Sequence, residues 1–249
     1  TPSNAHHNTV AFNHMHKIRQ GVLTDMGGIY TLGNSPGTVL HHNHIHDVVS
    51  HSYGGWGIYY DEGSTDIVAE NNIVYRTKSA GFHQHYGKNN RVINNIFAFG
   101  DEAQLMRTRP ESHLSFTAER NLVYFNDRPL LGSNWSGTIE NFKLDRNLYW
   151  NAGKEKITFA GKSFEDWQKR GQDANSIIAD PLFEDPENGN FKLKPGSPAE
   201  KIGFVPIDSS KMGRLSGKKS TELKDLPRAF PPPPAPPPPQ AVQDDFEDT

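Results

Sequence analysis

Short apolar strands alternate with polar turns along the first 150 residues, in an order that repeats. Six segments share one pattern, in which a short strand is followed by a polar residue, often Asn, and then by an apolar residue. These apolar residues are Met15, Ile45, Ile73, Ile96, Leu122 and Leu148, so the successive spacings are 30, 28, 23, 26 and 26 residues. The period is too short for a propeller blade, lacks the paired helices of an α-solenoid and lacks the dense leucines of a leucine-rich repeat. It predicts an all-β fold, a right-handed parallel β-helix with one coil per repeat.

The polar residue of the repeat predicts a second regularity. Coils of a β-helix stack by strand pairing about 4.8 Å apart, so residues at equivalent positions form columns. We expect one such column to contain Asn13, Asn43, Asn71 and Asn94. The side-chain amides of this column would hydrogen-bond from coil to coil.

A second strand recurs within the same coils. It reads "GGIYTLG", "WGIYYDEG", "AGFHQHYG" and, with less similarity, "AQLMRTR", and the first three align on Gly28, Gly57 and Gly81. Because side chains of a strand alternate between faces, Ile29, Ile58 and Phe82 are predicted to point into the core. The alignment places these residues on the outer face: Tyr30, Tyr59, His83, then Leu32, Asp61 and His85, with Arg107 or Arg109 one coil further. Asp61 is therefore expected on an exposed surface rich in aromatic and imidazole rings.

The repeat fades after Trp150. "KSFEDWQKRGQD" predicts one short helix with Ser163 as its N-cap. The turn-rich segment from 177 to 204 is expected to close the open edge of the last coil. We predict a β-helix over 1–207 that is the C-terminal part of a longer domain, a polar and proline-rich linker over 208–240, and the start of a further module over 241–249.

Composition narrows the function classes. The formal net charge is −3, so no general basic field favours nucleic acid as a partner. The chain has no cysteine, which excludes disulfides, thiolate nucleophiles and cysteine-ligated zinc. No stretch of the sequence is apolar enough to predict a membrane span.

Four stretches together carry a family resemblance: "DMGGIYTLG", "GGWGIYYDEGS", "GFHQHYGKNNRVINNIFAFG" and "ADPLFEDPENGNFKLKPGSPA". Over about residues 5 to 207 the chain resembles the β-helical glycoside hydrolases that include α-L-fucosidases and xylanases, glycoside hydrolase family 141. The resemblance implies a secreted or periplasmic enzyme that degrades polysaccharides or oligosaccharides without a cofactor. It implies a catalytic pair of carboxylates, and the matching positions are Asp25 in "TDMGGIY" and Asp61 in "YYDEGS".

Glycoside hydrolysis requires two carboxyl groups that flank the scissile bond. Asp25 precedes its strand and Asp61 follows its own, and a straight path between these positions would separate them by about 23 Å. The pair therefore works only if the chain bends between Asp25 and Gly28, which the glycines permit. Otherwise Glu62, or an acid outside this sequence, is the partner of Asp61.

Other side chains are candidates for substrate contact. Trp56, Tyr59 and Tyr86 could stack on sugar rings, and His83, His85 and Arg107 could hydrogen-bond to hydroxyl groups. The pairs His14/His16 and His44/His46 each project to one side of a strand and could hold a metal, but we expect a solvated strand face there and no metal site. Two alternatives stay open: a polysaccharide lyase on the same fold, and a noncatalytic carbohydrate-binding or adhesion β-helix.

Overall fold

The computed structural model describes residues 5–19, 23–135 and 139–214. They form a right-handed parallel β-helix of six coils, with three parallel sheets and, within the described residues, one short α-helix. Strands are numbered in chain order. Sheet A contains β1 (Thr9–Ala11), β4 (Val39–His41), β7 (Val68–Glu70), β10 (Asn90–Ile93), β13 (Phe116–Glu119) and β16 (Phe142–Asp145). The predicted fold class is confirmed.

The other two sheets complete the coils. Sheet B contains β2 (His14–Arg19), β5 (His44–Val49), β8 (Ile73–Thr77), β11 (Ile96–Ala98), β14 (Leu122–Phe125), β17 (Leu148–Asn151) and β18 (Ile177–Ile178). Sheet C contains β3 (Gly27–Thr31), β6 (Trp56–Tyr60), β9 (Phe82–Gln84), β12 (Leu105–Arg107) and β15 (Leu131–Ser133). No described helix is long and apolar enough to cross a membrane.

Columns of apolar side chains fill the interior. In sheet C the inward column is Ile29, Ile58, Phe82 and Leu105, which confirms the predicted register of the first three coils. In sheet B the inward column is Ile45, Val74, Phe97, Val123 and Tyr149. Each coil thus buries its apolar side chains against the next coil, and the stack forms one continuous core.

The asparagine column exists, but half of its predicted members were wrong. The observed column is Asn13, Asn43, Asn72, Asn95, Asn121 and Asn147, linked by amide-to-amide hydrogen bonds of 2.9 to 3.1 Å. Asn71 and Asn94 lie one position earlier, where the backbone is left-handed with φ of 57° and 55°. Phe12, His42, Arg120 and Arg146 occupy the equivalent position with the same backbone conformation. In each "NN" pair either asparagine could belong to the column. The first asparagine instead adopts the left-handed backbone conformation of the turn, which Asn tolerates.

The same one-residue shift changes the apolar pattern. Ile45 pairs with Val74, whereas Ile73 pairs with His44, so Ile73, Ile96, Leu122 and Leu148 form an outward column in register with His14 and His44. The expectation that Met15 and Ile45 share a column with Ile73 is therefore wrong.

The C-terminal segment covers this outward column. It contains the antiparallel strands β19 (Phe183–Asp185) and β20 (Asn190–Leu193) and three 3₁₀ turns, Pro186–Asn188, Pro198–Ile202 and Ser209–Lys211. Its buried side chains pack on Ile73, Ile96, Leu122 and Leu148; they are Phe183, Phe191, Ala199, Ile202, Phe204 and Met212. Most of the segment therefore lies across the outer face of sheet B. Only β18 (Ile177–Ile178), which pairs with β17, covers the edge of the last coil as expected. Packing continues to Gly213, whose N–H donates to Phe12, past the predicted boundary at 207.

The end of the core is closed by a different element. The predicted helix is present as α1 (Phe164–Lys169), and Ser163 accepts a hydrogen bond from the Asp166 N–H at 3.1 Å. Trp167 of α1 is buried and stacks on Phe142 and Phe159. The predicted linker lies outside the described residues from residue 215 onward, as does all of the predicted module at 241–249.

Candidate functional site

The outer face of sheet C brings together most of the predicted site residues. Tyr30, Tyr59, His83 and Met106 form its outward column. The rings of Tyr59 and His83 are stacked, with centroids 4.7 Å apart. The adjacent Trp56 ring lies 4.2 Å from Tyr59 and 4.5 Å from His83, and its indole N–H donates to the Met106 sulfur. A packed aromatic layer therefore supports the residues that follow each strand.

Asp61 lies at the end of β6, beside this layer. Its two carboxylate oxygens accept hydrogen bonds from separate phenols: Oδ1 from Tyr59 at 2.7 Å and Oδ2 from Tyr30 of the preceding coil. Only 6% of Asp61 is exposed, so the expectation that it is an exposed residue is wrong. The rings of Tyr30 and Tyr59 enclose it, and their hydroxyl groups stabilise its negative charge.

Asp25 approaches Asp61 because the chain bends. Asp25 has a left-handed backbone with φ of 51°, and its N–H donates to the carbonyl of Tyr53 at 2.8 Å. The bend required by the straight-path estimate is thus present at Asp25 itself, just before β3. The Asp25 carboxylate therefore lies close enough to Asp61 for the negative charge of Asp61 to act on it. Two carboxylates from neighbouring coils interact electrostatically beside Tyr59, whose hydroxyl donates to Asp61.

The pKa of the Asp25 carboxyl is raised by partial burial and then by the negative charge of Asp61. The nearby Tyr59 hydroxyl and His85 side chain oppose this rise. Burial and the interaction with Asp61 also raise the pKa values of the Tyr30 and Tyr59 hydroxyls, so both phenols stay protonated as donors. Glu62 is exposed, and its negative charge raises the pKa of Asp25 by a smaller amount than the charge of Asp61 does.

The two histidines share a partner that the sequence did not suggest. His83 Nε2 lies 2.9 Å and His85 Nδ1 lies 2.7 Å from the Thr108 hydroxyl. His83 is fully buried, and burial lowers its pKa to about 3, so the ring is neutral. His85 is only partly buried and remains accessible from solvent. A hydroxyl one coil away gives no sequence signal by itself, but the β9–β12 register places Thr108 beside His85.

Arg107 is not on this face. It pairs with Gln84, so its side chain points into the core, where Nε donates to the Asn134 carbonyl and Nη1 to the Asn141 side chain. Its guanidinium lies 4.5 Å from the centre of the Phe142 ring. The expectation that Arg107 contacts substrate is therefore wrong, because the register of the fourth strand is one residue away from the one predicted. Arg109 instead lies over Tyr86, 4.4 Å from the ring centre.

The accessible aromatic rings differ from those expected. Trp56 and Tyr59 are 1% and 2% exposed, so neither offers a free ring face for a sugar. Tyr30 and Tyr53 are 43% and 54% exposed and lie beside Asp61 and Asp25. The alignment on glycines places Tyr30 next to Tyr59 in the outward column, so the sequence contains a signal for the position of Tyr30. Tyr53 lies in a loop outside the repeat and had no such signal.

Among the described residues, one group of three side chains could hold a metal ion: His14, His44 and His46 on the outer face of sheet B. Burial lowers the pKa of His44 to about 3 and is the main cause of the lower pKa values of His14 and His46. This cluster is on a different sheet from the two carboxylates.

Comparisons with known proteins agree with the fold. Residues 3–101 match a family model described as "Right handed beta helix region". The chain is similar to an uncharacterized protein, YwoF, of Bacillus subtilis (strain 168), with 27% identity over 148 residues. That match covers 56% of this chain and 27% of the relative. No solved structure matches. The likeness to glycoside hydrolase family 141 remains a prediction.

Proposed function

We propose that this protein is a secreted or periplasmic glycoside hydrolase that degrades glycans with Asp25 and Asp61. One observation carries the proposal: the carboxylates of Asp25 and Asp61, from adjacent coils, lie close enough to interact electrostatically at the edge of a rigid sheet. Two carboxyl groups in different environments are what acid–base hydrolysis of a glycosidic bond requires. The β-helix fold is compatible with this function but does not select it.

The environments of the two carboxyl groups support different proposed roles. Asp61 accepts two phenolic hydrogen bonds and is suited to act as the ionised nucleophile or base. Asp25 is exposed and has a raised pKa, which suits the acid that protonates the leaving oxygen. Glu62 is exposed beside the pair and adds negative charge to the site.

The exposed rings support a proposed position for a sugar. Tyr30 and Tyr53 flank the carboxylates and offer ring faces for stacking on a pyranose. Tyr30 also covers one oxygen of Asp61, so substrate binding would displace its hydroxyl from that oxygen. His85 and Tyr86, both half-buried, extend the same surface toward Arg109.

A noncatalytic glycan-binding β-helix is the second candidate, and the enclosure of Asp61 favours it. A carboxylate with both oxygens bonded and 6% exposure could act purely to hold Tyr30 and Tyr59 in place. Such a module would use the exposed tyrosines for binding and would break no bond.

The test is a screen of the protein against plant and algal polysaccharides with product analysis. The proposal predicts new reducing ends without a rise in ultraviolet absorbance. A lyase would produce unsaturated sugars that absorb in the ultraviolet, and a binding module would show saturable affinity with no new reducing ends. Either of these results would contradict the proposed hydrolase.

A further inference from the structure

Four histidines form a second polar cluster, on the outer face of the first two coils of sheet B. His14 pairs with His44 and His16 pairs with His46 across β2 and β5, so all four rings project from the same face. In the following four coils the column of His14 and His44 continues as Ile73, Ile96, Leu122 and Leu148, which the C-terminal segment covers. The histidines therefore occupy positions where a purely structural column would continue with apolar residues.

We propose that His14, His44 and His46 form a binding site for a divalent transition-metal ion of the Zn²⁺ type. One ring nitrogen from each histidine lies within 4.8 Å of the other two. Three imidazoles with an open fourth position are a recurrent zinc ligand set, and imidazole is a preferred ligand for Zn²⁺ and its neighbours in the first transition row. The cluster has no thiolate or carboxylate among its three ligands, which disfavours Ca²⁺ and Mg²⁺.

The hydrogen bonds of the cluster leave lone pairs directed into it. His46 Nδ1 lies 2.8 Å from an Asp47 carboxylate oxygen, and the other Asp47 oxygen lies 3.1 Å from Arg76 Nε. A carboxylate that accepts from Nδ1–H fixes the tautomer of a histidine and leaves its Nε2 free to bind metal. The Nε2 atom of His44 is buried and has no hydrogen-bond partner among the residues that the structure describes. A buried polar atom without a partner is costly, and a metal ion would satisfy it.

Metal binding requires one small movement. His14 Nε2 and His46 Nε2 lie 2.8 Å apart, in a contact where one nitrogen donates and the other accepts. Two nitrogens on one tetrahedral zinc ion, each at about 2.0–2.1 Å, are about 3.3 Å apart. His14 is the exposed member of the cluster, so its ring can turn out of its stack on His44 to open this gap. The bound ion would connect β2 to β5 and so hold the first coil against the second.

The experiment is a titration of the full chain with Co²⁺, read by visible absorption, and with Zn²⁺, read by calorimetry. His14→Ala removes an exposed ligand, so folding should be retained and can be checked by circular dichroism. His113→Ala is the matched control. It removes one of the chain's twelve histidines at a site outside the cluster, where His113 lies beside Glu111. We expect wild type and His113→Ala to bind one equivalent of each metal, with the absorption bands of four-coordinate cobalt. We expect His14→Ala to bind at least about 100-fold more weakly.

Asp47→Asn provides a second variant that leaves all three ligands in place. Loss of a carboxylate behind a metal-bound histidine typically weakens affinity 10–100-fold, and we expect a decrease of that size. The proposal would be overturned by the absence of stoichiometric binding to wild type, or by His14→Ala and Asp47→Asn binding as tightly as wild type. An equal loss in His113→Ala would also overturn it, because the metal would then depend on histidines outside the cluster.

Discussion

Sheets B and C both present imidazoles on their outer faces, but what surrounds those imidazoles differs. On sheet C, His83 is sealed under aromatic rings, hydrogen-bonds to Thr108 and lies next to the carboxylate pair. On sheet B, His44 is also largely buried, and its Nε2 atom, like His83 Nδ1, has no hydrogen-bond partner among the described residues, but the rings beside it are those of His14 and His46. Stacking of coils aligns equivalent side chains in columns, whatever their type. The residues that surround a column then determine the chemistry of its side chains.

The same lesson holds along sheet B itself. The first two coils carry His14 and His44 at the column position, and the next four carry apolar residues beneath the C-terminal segment. Among the described residues, the ring of His14 lies beside Gly213, near the end of the C-terminal segment. The histidines and the apolar residues thus occupy the same position in the coil but have different neighbours.

The largest expected effect is on the free energy of unfolding, from substitutions that distinguish the interior of the coils from the C-terminal segment that covers them. Asn95 lies in the interior column, where its Oδ1 accepts from both the N–H and the side-chain amide of Asn72. Asn94, its neighbour, instead binds Asn71 and the backbone of Val205 in the C-terminal segment. Each buried donor left unpaired costs about 1–3 kcal/mol, so we expect Asn95→Ala to lower the free energy of unfolding by about 2–5 kcal/mol in urea denaturation.

Asn94→Ala is the matched control for that variant, since both side chains are fully buried. We expect a smaller loss, about 1–2 kcal/mol, together with faster hydrogen exchange confined to residues around Val205. Equal losses with equal exchange patterns would show that interior and cover form one unit, contrary to this comparison.

A smaller effect should appear on acidification. Burial lowers the pKa of His83 to about 3 in the folded protein, against about 6.5 when unfolded. The unfolded chain therefore binds the proton first, and stability is lost as pH falls from about 6.5 toward 3. Between pH 7 and pH 5 this one group should account for about 2 kcal/mol of lost stability.

His83→Gln tests that contribution by urea denaturation at both pH values. The variant should lose about 2 kcal/mol less than wild type over this interval. An unchanged pH dependence would mean that His83 is not the buried, neutral group described on sheet C.

Much of the fold followed from the sequence because strand periodicity and coil stacking are both local rules. Gly28, Gly57 and Gly81 gave the register of three strands in sheet C correctly. The errors of strand register were single-residue shifts: Asn71 for Asn72, Ile73 as a partner of Ile45, and Arg107 on the outer face. A left-handed residue at each turn sets these registers, and Phe, His, Asn and Arg all occupy it, so residue type does not identify it.

The site was harder to predict than the fold for a physical reason. Asp25 and Asp61 were identified, but the bend that brings them together is a backbone conformation of Asp25. Tyr53 and Thr108 contribute from a loop and from the next coil, and neither belongs to the pattern that identified the carboxylates. The burial of a side chain also depends on all of its neighbours in the aromatic layer. Trp56 and Tyr59 were expected to be exposed, but both are buried beneath the candidate site.

The proposed function is that Asp25 and Asp61 perform acid–base chemistry at the edge of sheet C. It is tested most directly by the pH profile of kcat/KM for wild type and Asp25→Asn on a polysaccharide identified by the screen, with Glu62→Gln as the neighbouring exposed acid for control. An acid with a raised pKa must be protonated to act, so wild-type kcat/KM should fall as pH rises through that pKa. Asp25→Asn should lose at least about 100-fold in turnover together with this limb of the profile, whereas Glu62→Gln should keep both. Near wild-type turnover and an unchanged profile in Asp25→Asn, or loss of both in Glu62→Gln, would contradict the account.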